Sequence, residues 1–333
     1  MTAPATQINE FTQETHYLET LSGPAAALWQ QRQEGEILGV GQRRIGWVAF
    51  TAAQHDKAIL VVNGRIESYW KYQELFYDLT RQGYDVYALD HRGQGVSDRL
   101  AADTELGHVE QFDDYVADLA TFYQTVIAPK GYHQRHLLAH SMGGTIASLF
   151  LAQHPNLITS AVLSAPMHGI AIKNWMRPIA SPLARVVEQF QRQPSYAPGQ
   201  VPYYPKPFAD NPLSHSAVRY QWFRQLYHDH PELRIGGPSA RWVWQSIAAA
   251  HRSVAQAGNI TAPLLVLQAG LDSIVDNVAQ QRFCHTMQQA GRDGQLQIID
   301  GAFHELLFER DDYRNPALKA ALDHFRKAEI HVR

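Results

Sequence analysis

The segment Leu137-Leu138-Ala139-His140-Ser141-Met142-Gly143-Gly144 decides how this chain folds. Arg135–Ala139 reads as a buried strand, and Met142–Gln153, stopped near Pro155, reads as a helix. A serine at such a junction sits on a sharp turn with its Oγ projecting from the sheet edge. The turn is so tight that the residues two before and two after the serine must be small, and here they are Ala139 and Gly143. The helix that follows directs N–H groups and its positive dipole end at the same point, which favours an oxyanion. The alternative is that Ser141 is an ordinary helix N-cap. Two glycines at a helix start are costly without a packing reason, so the nucleophile reading is preferred.

Strand and helix alternate on both sides of this turn. Arg44–Thr51 and Lys57–Asn63 read as strands, Tyr69–Gln82 as a helix stopped at Gly83, and Asp85–Leu89 as a strand running into the glycine-rich loop Asp90–Asp98. Val109–Ala128 has the spacing of a long amphipathic helix, and Ile158–Ser164 is again strand-like. Leu264–Gln268, a helix from about Asn277, Leu296–Ile299 and a final helix from Asn315 resume the pattern. Such alternation predicts an α/β fold with a mostly parallel sheet covered on both faces. Between Met167 and Val254 no buried strand is convincing, while prolines and aromatics abound. The expected organisation is a core of residues 1–166 and 255–333, with a lead-in of 1–35, and a largely helical lid at 167–254. The lid would lie over the sheet's carboxyl edge, where open α/β sheets place their ligands.

A serine hydroxyl needs a base to activate it and an acid to orient that base. Asp272 follows the strand Leu264–Gln268 within Gly270-Leu271-Asp272-Ser273-Ile274-Val275, and His304 follows Leu296–Ile299. The order Ser, acid, His, each after a later strand, is the one this type of sheet uses. Asp276 and Asp300 remain alternatives for the acid, although Asp276 reads as the start of the next helix. His133, His136 and His140 lie on one strand and its approach, so their side chains do not converge on a metal. The second oxyanion donor is expected from the loop Asn63-Gly64-Arg65-Ile66-Glu67-Ser68, giving the N–H groups of Arg65 and Met142 as the candidate pair. Arg65 and Glu67 either pair with each other or reach substrate.

Composition narrows the classes. At 333 residues the chain can bury one large core. A net charge of −3 argues against a nucleic-acid partner. Cys284 is the single cysteine, so no intrachain disulfide is possible. The start, MTAPATQINEFTQETHYLET, lacks the basic and apolar run of a signal peptide, and no stretch reaches the roughly 18–20 apolar residues of a membrane span. The expected location is the cytoplasm, with peripheral binding at the inner face of the membrane as an option.

Together, Asp90-His91-Arg92-Gly93-Gln94-Gly95-Val96-Ser97-Asp98, the elbow Ala139–Gly144 and Gly270–Val275 with His304 resemble the monoacylglycerol lipase and lysophospholipase group of α/β-hydrolases. Asn63–Tyr69, Gly236-Gly237-Pro238 and Ala302–Glu309 point to the bacterial lysophospholipases within it. The resemblance implies a Ser141, Asp272 and His304 triad and release of a fatty acid from a lysophospholipid, without metal or organic cofactor. It also implies that related enzymes pass the acyl group to an alcohol acceptor. Asn63 departs from the histidine that monoacylglycerol lipases carry there. The alternatives are a monoacylglycerol lipase or carboxylesterase acting on uncharged esters, and a catalytically inactive lipid-binding module of the same fold.

The lid composition bears on the substrate. Residues 167–254 hold ten basic and four acidic residues, a net +6, while the remainder carries −9. Basic and aromatic residues together suit an anionic lipid surface. Trp175 and Met176, with Ile170 and Ile172, are the expected acyl-channel or membrane contacts, and Glu67 is a further substrate-binding candidate. Oligomeric state is left open.

Overall fold

The computed structural model describes residues 11–173 and 175–330, so the first ten residues of the expected lead-in lie outside it. In chain order the helices are α1 (Tyr17–Ser22), α2 (Pro24–Gln30), α3 (Gln73–Arg81), α4 (Phe112–Phe122), α5 (Met142–Gln153), α6 (Arg177–Gln189), α7 (Ala217–Asp229), α8 (Ala240–Ala255), α9 (Asn277–Gln289) and α10 (Asp311–Ile330). The strands are β1 (Gln33–Leu38), β2 (Arg44–Phe50), β3 (Lys57–Val62), β4 (Asp85–Leu89), β5 (Gln134–His140), β6 (Ser160–Ser164), β7 (Leu264–Ala269) and β8 (Gly294–Ile299).

These strands form one eight-stranded sheet in the order β1-β2-β4-β3-β5-β6-β7-β8. β2 runs antiparallel to β1 and β4, and every other pairing is parallel. The central strands are apolar along their length because both faces are covered. On one face, Phe112, Leu119, Ile146, Phe150, Phe283 and Met287 of α4, α5 and α9 pack on Leu60, Leu137, Leu163 and Val266. On the other, Leu75, Phe76 and Leu79 of α3 and Leu318, Leu322 and Phe325 of α10 pack on Ile59, Val61, Leu138 and Val162. β1, at the edge, is largely exposed and polar.

Three helices differ from their sequence-based bounds. The Tyr69–Gln82 helix opens as a 3₁₀ turn at Tyr69–Tyr72 and is α-helical only over Gln73–Arg81. The Val109–Ala128 helix is regular only over Phe112–Phe122 and continues as a π turn at Tyr123–Ile127 and a 3₁₀ turn at Ala128–Lys130. The last helix begins at Asp311 rather than Asn315. Pro316 removes the bond to the Asp312 carbonyl, but Asp312 is exposed and water can satisfy that oxygen.

Between β6 and β7 lie α6, α7 and α8, with isolated bridges Ile170–Val275 and Tyr196–Ser239. α8 packs on α4, α5 and α9 as well as on α6, and its Trp242 joins the main core. α7 builds a small core of its own from Tyr220, Phe223, Tyr227 and Leu233. Its loops reach the carboxyl edge of the sheet, with the Tyr227 hydroxyl donating to the Ile66 carbonyl (3.1 Å) and the Glu305 N–H to the Leu213 carbonyl (2.8 Å).

A buried ionic cluster ties α7 to the body. Arg219 donates to Glu74 (2.8 and 2.9 Å), to Asp311 (2.9 Å) and to the Glu309 carbonyl (2.7 Å). Arg314 donates to Asp78 (2.7 Å), which also accepts both donors of Thr12 (2.9 Å each). Removing one partner leaves a buried carboxylate uncompensated. Arg314→Ala should therefore lower unfolding free energy by about 3–5 kcal/mol in urea titrations, whereas substitution of the exposed Arg310 should stay within roughly 0.5 kcal/mol.

Candidate active site

The sheet's carboxyl edge gathers the loops after β3, β5, β7 and β8. Ser141 joins β5 to α5 at φ +52° and ψ −119°, a backbone conformation that few non-glycine residues adopt. Its N–H donates to the Ser164 carbonyl (3.0 Å), and its own carbonyl accepts from Met167 (2.9 Å) and Gly144 (2.9 Å). The packing reason for the glycine two residues on is now visible. A Cβ on Gly143 would meet the Val62 and Asn63 carbonyl oxygens at 2.3 and 2.4 Å. Ser141 does not cap the helix with its side chain. Its Oγ lies 2.9 Å from Nε2 of His304 instead.

The chain of contacts continues outward. Nδ1 of His304 lies 2.7 Å from Oδ2 of Asp272, and Oδ1 of Asp272 accepts from the N–H groups of Ile274 (2.8 Å) and Val275 (3.1 Å). Burial alone would raise the Asp272 pKa, but the His304 imidazole and these two N–H groups outweigh it and hold the carboxyl below its usual range. An ionised Asp272 fixes the tautomer in which Nδ1 carries the proton and Nε2 faces Ser141. The alternative acids go elsewhere. Asp276 caps α9 through Val278 N–H (3.0 Å) and pairs with Arg177 (3.2 Å), and Asp300 is exposed. Of the three clustered histidines, His136 bonds Ser160 (2.9 Å) and His140 bonds the Ser164 carbonyl (3.2 Å). Burial pulls the His140 pKa down to about 4, so it packs as a neutral ring beside His304.

Met142 is the first residue of α5, so its N–H has no acceptor within the helix. Gly64 brings the opposite loop close: a Cβ there would meet the Ser141 Cβ at 3.2 Å and His140 at 3.1 Å. The Gly64 N–H is taken by Glu67 Oε2 (2.6 Å), which leaves the Arg65 N–H as the next donor along the loop. Arg65 and Glu67 do not pair. Glu67 is buried and bonds Lys71 (2.8 Å) and the Tyr72 hydroxyl (2.6 Å), while Arg65 donates to the Gly236 carbonyl (2.6 Å) and lies over the Trp242 ring.

The Asp90–Asp98 loop has a role that sequence reading did not find. The buried Asp90 carboxylate accepts from Asn63 Nδ2 (3.0 Å), Ser68 Oγ (2.6 Å), Tyr69 N–H (2.7 Å) and Val96 N–H (2.9 Å). Gln94 adds bonds to the Gly64 and Glu67 carbonyls (2.8 Å each). This loop is thus the mould for the Asn63–Ser68 turn. The proximity of an Asp-rich, Gly-rich loop after β4 was the available signal, but its partner could not be read from spacing. Lys71 was also missed: buried between Glu67 and Glu305 (2.8 Å each), it links the turn to the residue after His304.

Trp175 and Met176 lie at the start of α6, where Trp175 is 69% exposed. Neither is among the residues that line the cavity at Arg65 and Glu305. Ile170 and Ile172 line a separate cavity of about 610 Å³ between the start of the insertion, α8 and α9.

The chain matches the family described as "Serine aminopeptidase, S33" over residues 53–311. It is 42% identical over 324 residues to lysophospholipase L2 of Escherichia coli strain K12, covering 95% of this chain and 94% of that protein. It is 37% identical over 270 residues to a probable lysophospholipase L2 of Haemophilus influenzae, covering 81% and 83%. Among solved structures, a soluble variant of monoglyceride lipase from Saccharomyces cerevisiae superposes with a TM-score of 0.70 at 17% identity, covering 89% of this chain and 94% of that one. With the sheet, the serine elbow and these relatives together, the chain belongs to the serine aminopeptidase S33 family of α/β-hydrolases and, within it, to the lysophospholipase L2 group.

Proposed function

We propose that this chain is a lysophospholipase that works through an acyl-enzyme on Ser141. The observation that carries the reading is the unbroken run from Ser141 Oγ through His304 to Asp272 at the sheet's carboxyl edge. Its substrate class comes from the lysophospholipase L2 relatives, which align along nearly the whole chain.

In this mechanism His304 Nε2 takes the Ser141 proton as Oγ attacks the acyl carbonyl. The N–H groups of Met142 and Arg65 receive the oxyanion, a preorganised pair that needs no reorientation as charge develops. His304 then gives its proton to the departing glycerophospho-alcohol. Water, deprotonated by the same nitrogen, attacks the acyl-enzyme and releases the fatty acid. An alcohol occupying the water's place would accept the acyl group by the same steps.

A lipid surface is the proposed working environment. No helix among the described residues is long and apolar enough to cross a membrane. On α6, however, Ile179, Leu183 and Val186, followed by Phe190 at 84% exposure, recur at helical spacing and face solvent in line with Trp175. Lys173 and Arg192 flank this apolar stripe and form no ion pair among the described residues. An apolar face edged by cations suits shallow insertion into an anionic interface.

Ser141→Ala should abolish hydrolysis of lysophosphatidylethanolamine and labelling by a fluorophosphonate while leaving the melting temperature nearly unchanged. Asp272→Asn should lower kcat by about 10⁴-fold. Turnover of a monoacylglycerol with no turnover of any lysophospholipid would make the chain a lipase for neutral esters. A wild-type protein that resists the probe would make it a lipid-binding module. For the surface, the double variant Leu183→Glu, Phe190→Glu should weaken binding to vesicles containing phosphatidylglycerol by about tenfold or more in a flotation assay.

A further inference from the structure

Beside the triad lies a second cavity, of about 310 Å³, whose lining among the described residues does not include Ser141 or His304. It reaches both halves of the machinery: Arg65 supplies the candidate oxyanion N–H, and Glu305 follows His304. We propose that this cavity, walled by Arg65, Lys71, Tyr203, Lys206, Arg224 and Glu305, receives the phosphodiester headgroup of the substrate, with the Arg65 guanidinium as its phosphate ligand. The proposal rests on the lysophospholipase reading and names the site that would separate a lysophospholipid from a neutral ester.

Arg65 differs from the arginines that the fold buries most deeply. Arg92 pairs with Asp118 and Asp114, Arg219 with Glu74 and Asp311, and Arg314 with Asp78. Arg65 has no carboxylate within ion-pair distance among the described residues. Among the described residues it gives one hydrogen bond, to the Gly236 carbonyl, and its buried Nε has no partner. A desolvated cation without a counter-charge is costly, and an anion bound beside it would offset that cost. Burial lowers the Arg65 pKa only to about 10, so the charge persists at neutral pH.

Glu67, two residues on, cannot neutralise it because Lys71, Tyr72 and the Gly64 N–H already hold that carboxylate. The wall contains four cations, Arg65, Lys71, Lys206 and Arg224, against two carboxylates, Glu67 and Glu305, and both carboxylates share Lys71. Among the described residues Arg224 bonds only the Tyr220 and Tyr203 hydroxyls, and Lys206 makes no ion pair. Positive charge is therefore unspent where a phosphate would sit. A guanidinium binds phosphate through two parallel N–H bonds, more strongly than it binds a neutral acceptor. Oε2 of Glu305 is buried and unpartnered, which suits a donor elsewhere on the headgroup, such as a glycerol hydroxyl or an ammonium. Ile66, Leu213, Phe223 and Ile235 line the cavity beside these charged groups, and its volume lies at the lower end for ligand sites.

The test compares wild type with R65M, R65K and K206M on lysophosphatidylglycerol and monoacylglycerol of the same acyl chain. R65M should lower the ratio of kcat/KM for the lysophospholipid to that for the monoacylglycerol by about tenfold or more, mainly through KM, with R65K recovering part of it. K206M should shift the ratio the same way by less. In the wild type, sn-glycero-3-phosphoglycerol should compete with substrate where glycerol does not, a readout that needs no variant to fold. An unchanged ratio, an equal loss on both substrates, or inhibition no better than glycerol's would overturn the assignment. A wild type that cleaves the monoacylglycerol but no lysophospholipid would overturn the substrate reading together with it. A wild type that prefers lysophospholipid with an unmoved ratio overturns the cavity assignment alone.

Discussion

The backbone of Ser141 is held at φ +52°, and the geometry of the site follows from that one turn. Such a conformation costs a non-glycine residue on the order of 1–3 kcal/mol, so surrounding contacts must over-determine it. They do so on three sides. β6 accepts the Ser141 N–H, the start of the insertion donates to its carbonyl through Met167, and α5 lies so close to the end of β3 that Gly143 has no room for a side chain. Because β3, β5 and β6 are neighbours in the sheet, the loops that leave them are brought together at the nucleophile.

Around this turn the protein holds its loops with buried charge rather than with apolar packing. Asp90 collects four donors from the loop after β3 and from its own loop, and burial raises its pKa to about 6 despite them. Lys71 sits between Glu67 and Glu305, and its ammonium also lies over the rings of Phe223 (4.5 Å) and Phe308 (4.3 Å). One cation thereby joins the oxyanion loop, the histidine loop and α7 of the insertion. Networks of this kind specify one arrangement because every alternative leaves a buried group unsatisfied.

The insertion divides its charges between two tasks. Arg219 is buried in the ionic cluster, Arg234 bonds the Tyr227 and His228 carbonyls, Arg241 pairs with Glu188 and Arg252 with Asp113. These arginines hold the segment between β6 and β7 in place. Among the described residues Lys173, Arg185, Arg192, Lys206 and Arg224, with Arg65 of the neighbouring loop, form no ion pair, although Arg185 lies over the Trp244 ring and Arg224 bonds two tyrosine hydroxyls. The net +6 of residues 167–254 thus overstates what a lipid would meet.

The sequence by itself determined the alternating α/β core, the elbow and the order of serine, acid and histidine. Strand burial and turn geometry leave local marks: continuous apolar runs, small residues flanking Ser141, and polar loops after β7 and β8. It also favoured Asp272 over Asp276, since a helix cap is a local signature, and Asp276 does cap α9. Only the tertiary structure decided what Arg65, Glu67, Lys71 and Asp90 do, because their partners lie on other loops and a charged residue's burial depends on which chain segment covers it. The same holds for the serine turn itself. Ala139 and Gly143 announce that something must come close, but the carbonyls of Val62 and Asn63 that come close arrive from a strand about eighty residues earlier, through sheet pairing that no local pattern encodes.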